Sequence, residues 1–476
     1  MGDMASIPAP GERTSELRHL FRLALPIVGA NLGWMALALV DQIMLGRFDT
    51  QALAAAAVAN IWIWGTLWMG NGLVVGIDPL VTQAHGARNG EALGRSLQWG
   101  LVVALAAGLL IAGLWEWTAD FLEATGQEAS LIPDAARYAG VQQASAPLFL
   151  CYVALRQYLQ GREITRPAVV AMLVANVANV LLNWVLIYDE LGVLGLRGMG
   201  LGVVGAGIAT NITRSMMFVA LLAIALRWRL FEGAWVPWSR ESFALRGIRR
   251  ILAHGLPTGL QMSLEVWAFL TATLMAGWLG ADALAANAIV LNLSNLSFMM
   301  PLGISGAAAT RVGNLIGAGK GLLARRAAWT ALAMGGGVMT ISALCFALLR
   351  QELPPLYAQR SEENAAVLAL AASILPIAAA FQIFDGVQVV GTGVLRGMGR
   401  TLPAAMINLV GYWLLALPMA WWLTFRAGLG LAGVWWGLAL GLALVAVGLL
   451  AWVRWRGPET VAVEELARAL SADDAP

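Results

Sequence analysis

Apolar positions in this chain come in long runs, with little alternation of apolar and polar residues. Stretches of about 20 residues rich in Leu, Ala, Val, Ile, Gly and Trp recur almost from end to end, long enough to cross a bilayer as helices. A helix on the surface of a soluble protein would show a polar face opposite its apolar stripe, and these runs lack one. The pattern predicts twelve spans, at residues 21–44, 54–80, 95–115, 136–158, 168–188, 201–226, 250–278, 283–313, 327–348, 365–392, 402–424 and 430–453. The expected fold class is therefore an all-α polytopic membrane protein with twelve transmembrane helices.

The runs also repeat in order. QALAAAAVANI from Gln51 returns as DALAANAIVLN from Asp282, and the same offset carries Leu25-Pro26 onto Leu256-Pro257, Gly46 onto Gly277, Gly72 onto Gly303 and Gly86-Ala87 onto Gly317-Ala318. At a nearly equal offset Gly161 and Pro167 match Gly397 and Pro403. Two like halves of six spans predict two pseudo-symmetric lobes of the same orientation, with a substrate site at the repeat interface, as in repeat-built transporters. The expected organisation is a cytoplasmic tail 1–16, an N-lobe 17–228, a linker 229–249, a C-lobe 250–455 and a second tail 456–476.

Composition agrees with this picture: 59% of the 476 residues are hydrophobic and 12% charged, where soluble domains carry roughly 25% charged residues. The polar first residues and span-length first run do not read as a cleavable signal peptide. Cys151 and Cys345 both fall in predicted spans, so they are expected as packing residues with no disulfide framework. The net charge of +2 is uninformative, but its distribution is not. Most arginines lie before span 1 and after the even spans, whereas the other side holds only Arg47, Arg137, Arg197, Arg350, Arg360 and Arg426. By the positive-inside rule both termini are cytoplasmic, which an even number of spans also requires. The basic stretch 227–250 reads as an orientation anchor able to touch anionic lipid.

Prolines 26, 257, 301, 376 and 418 lie within or at the ends of the runs, where membrane helices tolerate them and bend. GLGVVGAG from Gly200 and GLAGVWWG from Gly430 read as matching close-contact faces. Asp41, Asp78, Arg214, Glu265 and Asp385 stand out because their surroundings are apolar. A carboxylate at mid-membrane costs about 2.5–3.5 kcal/mol on the lenient insertion scale, so Asp41, Glu265 and Asp385 read as an ion or substrate pathway, with a buried ion pair as the alternative. Asp78, just before Pro79, and Arg214, a counter-charge, read more readily as structural. Asn179 and Asn183, four apart, share a helix face, and with Thr210 and Asp41 they make an oxygen-rich set suited to a monovalent metal cation or a proton. Interhelical hydrogen bonding is the plain alternative for the amides. Trp62, Trp64, Trp267 and Phe298 offer either cation–π contacts or packing.

No catalytic or cofactor constellation is visible. His19, His85 and His254 are scattered, and GAGKGL around Lys320 is too short for a phosphate-binding loop. The chain is read as no enzyme and as needing no cofactor beyond its coupling ion.

Several stretches resemble the multidrug and toxic compound extrusion (MATE) family, in its NorM branch. They are LALPIVGANLGWMALALVDQIMLG in span 1, NVANVLLNWVLIY in span 5, SLEVWAFLTATLMAGWLG from Ser263, NLSNLSFMMPLGISGAAATRVGNLIGAGK from Asn292 and FQIFDGVQVVGTGVLRGMGRT from Phe381. The resemblance covers about residues 17–455. It implies two six-helix lobes in a V around a central cavity, and export of cationic, partly hydrophobic compounds against inward flow of H+ or Na+. It assigns Asp41, Asn179, Asn183 and Thr210 to an N-lobe cation site, a possible Na+ site, and Glu265 and Asp385 to the acidic pair of the C-lobe. Where Na+-coupled NorM members carry a Tyr four residues before the span-10 Asp, this chain has Phe381, which lacks the hydroxyl ligand. The residues therefore lean toward proton coupling.

The expected function is a secondary multidrug antiporter in a bacterial inner membrane, acting as a monomer among membrane lipids with no nucleic-acid partner. The alternative is a flippase for a lipid-linked precursor, for which basic rather than acidic cavity residues are expected. An intramembrane enzyme would need a nucleophile or metal set that the sequence does not offer.

Overall fold

In hydrocarbon the backbone has no water to bond, so the apolar runs satisfy it internally as helices. The computed structural model describes residues 10–191 and 196–464. Its helices are α1 (Pro10–Phe48), α2 (Thr50–Val75), α3 (Asp78–Gly86), α4 (Gly90–Leu114), α5 (Thr118–Ala124), α6 (Ile132–Gly140), α7 (Ser145–Gly161) and α8 (Arg166–Ile187). They continue with α9 (Gly202–Arg227), α10 (Leu245–Trp278), α11 (Ala281–Gly317), α12 (Gly321–Leu348), α13 (Ala365–Gly397), α14 (Thr401–Leu409), α15 (Leu417–Trp421) and α16 (Leu431–Trp455). Between α8 and α9 the chain turns through a two-residue antiparallel pair, β1 (Glu190–Leu191) and β2 (Leu196–Arg197), with Glu190 opposite Arg197. The outer parts of both predicted tails, before residue 10 and after residue 464, lie outside the described residues.

Among the described residues, ten helical segments are long and apolar enough to cross a membrane, and this is a multi-pass membrane protein. The two remaining expected spans are present in altered form. The fourth is divided into α6 and α7, with α7 only 17 residues long. The seventh is α10, a continuous 34-residue helix whose Arg246, Arg249, Arg250, His254, Gln261 and Glu265 dilute its apolar character. The second span also breaks, at Gly76-Ile77, and Asp78 then opens α3, where a negative charge suits the helix N-terminus. The eleventh winds as α14, a π-helical stretch Val410–Ala416, α15 and a second π-helical stretch Trp422–Arg426.

The chain forms two compact units. Of the described residues, the N-unit holds those of Gly29–His85 and Asn89–Ser263; the C-unit holds those through Val28, Gly86–Arg88 and those from Leu264 on. Helices α1 and α10 thus contribute to both. In the N-unit the core gathers Leu45, Ile63, Trp115, Leu150 and Met172, and in the C-unit Leu20, Val290, Leu332, Leu375 and Trp435. Large apolar side chains such as Leu110, Val177, Leu348 and Val447 are exposed, as suits surfaces solvated by lipid tails. Cys151 is buried as expected for packing, but Cys345, expected likewise, is exposed on α12. The helix side that meets a neighbour and the side that meets lipid are both apolar in sequence, so the pattern does not tell them apart.

Small residues bring helices together in both units. A β-carbon on Gly205 would lie 2.4 Å from the Leu186 carbonyl oxygen, and one on Gly437 would lie 2.3 Å from the Ala420 Cα. The two glycine faces read from sequence are therefore contact faces. The 229–249 linker is clamped against α4. Gln98 Nε2 donates to the Val236 carbonyl at 2.6 Å, Trp99 Nε1 donates to the Glu241 carbonyl at 2.8 Å, and Arg95 Nη2 pairs with the Glu241 carboxylate at 3.1 Å.

Candidate functional site

The N-unit brings together all four residues assigned to its cation site. Asp41 comes from α1, Asn179 and Asn183 from α8 and Thr210 from α9. The four-residue spacing on α8 stacks the two amides on one face. Asn179 Nδ2 donates to Asp41 Oδ1 at 3.1 Å and Asn183 Nδ2 donates to the same oxygen at 2.5 Å. Thr210 Oγ1 donates to Asp41 Oδ2 at 3.0 Å. Asn183 Nδ2 also donates to Asn179 Oδ1 at 3.2 Å, while Asn183 Oδ1 is buried without a hydrogen-bond partner. Asp41 is 8% exposed, both asparagines 0% and Thr210 3%. An ionised carboxylate only accepts hydrogen bonds, and here every described partner donates to it. Of the three, only the threonine hydroxyl can reverse by rotating its hydrogen. Oδ2 is thus the oxygen on which a proton can be accommodated without turning an amide.

One turn along α9, Arg214 is buried and exerts its charge on Asp41. Its Nη1 donates to Gln142 Oε1 at 3.0 Å. Its guanidinium lies 5.3 Å from the Trp64 ring centroid and 5.8 Å from that of Phe149, within cation–π range. Trp64 therefore makes a cation–π contact, one of the two roles open to it, but with a cation of its own chain. Trp62 stacks on Phe121 at 4.1 Å, which is packing. Asp78 is away from this set: its Oδ1 accepts from Gln157 Nε2 at 2.8 Å.

In the C-unit, Glu265 on α10 and Asp385 on α13 lie close enough for their like charges to act on each other. Asp385 is buried and Glu265 half-buried. The side chains of Gln388 and Tyr412 adjoin the Glu265 carboxyl. Gln388 Nε2 donates to Asn408 Oδ1 at 2.7 Å, so the acid pair is tied to α14 and to the π-helical stretch that carries Tyr412. Gln382, one turn before Asp385, is fully buried with neither end of its amide hydrogen-bonded. A pair of like charges among unspent polar atoms has the chemistry to receive a cation. Phe381 is packed in aromatic contact with Phe269 at 6.0 Å and Trp435 at 5.7 Å. The Tyr412 hydroxyl adjoins the Glu265 carboxyl and is buried without a hydrogen-bond partner. Trp267 is exposed, and Phe298 packs partly buried on the C-unit core.

Sequence reasoning missed Gln382, Gln388, Asn408 and Tyr412. The available signal was the same as for Asp385, polar groups inside apolar runs. An amide or phenol costs less to place in a membrane helix than a carboxylate does, so each stands out less.

The MatE family model matches residues 26–185 and 257–422. The "Probable multidrug resistance protein NorM" of Mesorhizobium japonicum is 34% identical over 451 residues, covering 92% of this chain and 94% of that protein. The "Multidrug resistance protein MdtK" of Edwardsiella ictaluri is 30% identical over 461 residues, covering 95% and 99%. Among solved structures, the eukaryotic MATE transporter AtDTX14 matches with a TM-score of 0.86 over 96% of this chain and 99% of that one, at 24% identity. A mutant of the Vibrio cholerae MATE transporter VcmN matches at 0.84 over 94% and 100%, at 18% identity. At those identities the structural likeness speaks for the fold alone.

Proposed function

This chain belongs to the MatE family, and from that premise we propose that it is a secondary active multidrug efflux antiporter. It exports cationic, partly hydrophobic compounds from the cytoplasm across a bacterial inner membrane, with both termini cytoplasmic, in exchange for protons. The observation that carries the reading is the Asp41 cage, a buried carboxylate held by Asn179, Asn183 and Thr210. Such a charge is costly in a membrane protein and marks an ion pathway by default.

The cage supports a mechanism in its own atoms. With Asp41 ionised, three donors hold it and the internal cation Arg214 balances part of its charge. A proton arriving on Oδ2 turns that oxygen into a donor, and the Thr210 hydroxyl reverses to accept. The net charge among Asp41 and Arg214 then rises by one, which disfavours a second cation nearby. Each ligand shifts the balance of conformations only by its different affinity for the two states, and this charge change supplies such a difference. The two candidate sites together carry three acids, Asp41, Glu265 and Asp385, against one basic group, Arg214, as suits a cationic cargo and not a lipid phosphate.

Transport in proteoliposomes under separately imposed pH and Na+ gradients tests the proposal. A pH gradient alone should drive export of a cationic dye, and Asp41→Asn should lose that response. Export driven by Na+ alone and indifferent to pH would make the cage a Na+ site, with Asn183 Oδ1 a spare ligand.

A further inference from the structure

The arginine-rich linker is not accounted for by antiport, and it is the wall of a built cleft. Residues from α4, the 240–243 turn and the first turns of α10 enclose a cleft of about 470 Å³ in the N-unit. Arg95, Arg246 and Arg250 line it together with Trp99, and the carboxylates lining it are Glu91 and Glu241. Glu241 is engaged by Arg95 Nη2 at 3.1 Å. Arg95 Nη1 donates to Ser239 Oγ at 2.9 Å and to Ser242 Oγ at 3.3 Å, whereas its Nε is buried without a hydrogen-bond partner. The Trp99 indole is fixed against the base of α10, where a β-carbon on Gly247 would lie 2.1 Å from the ring. Three guanidinium groups against two carboxylates leave one positive charge.

Two further features set the depth and the company of this cleft. Trp235, Trp238 and Phe243, on the segment that walls it, are 57%, 47% and 62% exposed. Exposed aromatic side chains beside arginines are the signature of the headgroup level of a bilayer. Gln98 and Val236 also line an apolar pocket of about 300 Å³, together with Leu97, Leu101, Leu155, Phe218 and Leu222 among others. A phosphate-sized anion suits the cleft, and an acyl chain suits the pocket.

We propose that this cleft is a binding site for an anionic phospholipid of the cytoplasmic leaflet, with its phosphodiester held by the exposed Arg246 and Arg250 and the charge of Arg95 behind them. The single surplus positive charge matches a monoanionic phosphodiester such as that of phosphatidylglycerol. Arg246 and Arg250 are exposed, so the lipid reaches them without any opening of the unit. Basic pockets between membrane helices on the cytoplasmic side are suited to such headgroups.

The test uses the purified full-length protein in a neutral detergent, followed by thermal unfolding. Short-chain phosphatidylglycerol should stabilise it saturably, while short-chain phosphatidylcholine and inorganic phosphate should not. Arg246→Gln together with Arg250→Gln should weaken the phosphatidylglycerol effect by roughly ten-fold or more. Arg249→Gln, on the same helix but outside the cleft, should leave it unchanged. Equal stabilisation by phosphatidylcholine, or by inorganic phosphate, would overturn the assignment to an anionic lipid. An equal loss with Arg249→Gln would replace the cleft by a diffuse basic surface. The wild-type comparison of the three ligands decides the matter even where a variant fails to fold.

Discussion

Gly72 on α2 packs so closely on Gly259 of α10 that a β-carbon on Gly72 would fall 2.2 Å from the Gly259 Cα. The sequence repeat carries this pair onto Gly303 and Val28, and there a β-carbon on Gly303 would lie 2.8 Å from the Val28 backbone nitrogen. The same contact is thus made twice, once within each unit. In the N-unit the first part of α10 packs on α2; in the C-unit the first part of α1 packs on α11. Glu16 and Arg311 fasten the second of these, with Arg311 Nε donating to Glu16 Oε1 at 2.7 Å and Nη2 donating to Oε2 at 3.0 Å.

Gly72→Ala should therefore destabilise the protein, because backbone stands where the new methyl would go. Overpacking of this kind costs about 1–3 kcal/mol. Gly65→Ala, on the same helix with nothing within 4 Å, is the control. Thermal unfolding in detergent should show a lowered midpoint for the first and none for the second.

Glu265→Gln and Asp385→Asn should each abolish or strongly reduce export of a cationic dye while the protein still inserts and runs as a single species on gel filtration. Both remove a negative charge while keeping side-chain size. Normal export by both variants would remove the C-unit acids from the pathway.

Thr210→Val deletes the one described partner of Asp41 that can switch from donating to accepting by rotating its hydrogen alone, at a stability cost of about 0.5–1.5 kcal/mol for the lost hydrogen bond. Export driven by a pH gradient should fall by roughly ten-fold or more, the equivalent of about 1.4 kcal/mol. Thr210→Ser should retain the response. A Val variant that exports like the wild type would show that the hydroxyl does not handle the proton.

Orientation is open to direct labelling. A cysteine at Arg240 should react with a membrane-impermeant thiol reagent only from the cytoplasm, and one at Glu123 only from outside. Reaction of both from the same side is incompatible with the twelve-span topology.

Much of this was legible in the chain itself. Apolar runs of span length dictate helices, because hydrocarbon offers the backbone no other partner, and the asymmetry of arginines predicts the orientation that the labelling experiment tests. Asp41, Asn179, Asn183 and Thr210 were visible as polar groups where polarity is expensive, and the family resemblance named them as a set.

Tertiary structure decided what periodicity cannot encode. A membrane helix is apolar toward lipid and toward its neighbours alike, so the sequence shows that Gly72 and Gly303 are equivalent but not that their partners are Gly259 and Val28. It also left Tyr412 unmarked. A phenol in an apolar run reads as packing until the chain brings it to Glu265, and the π-helical stretch from Val410 that presents it leaves no trace in hydrophobicity. The clamped linker follows the same rule. Its arginines are plain in the sequence, but only the fold of 239–247 onto α4 turns a basic stretch into a cleft with one charge to spare.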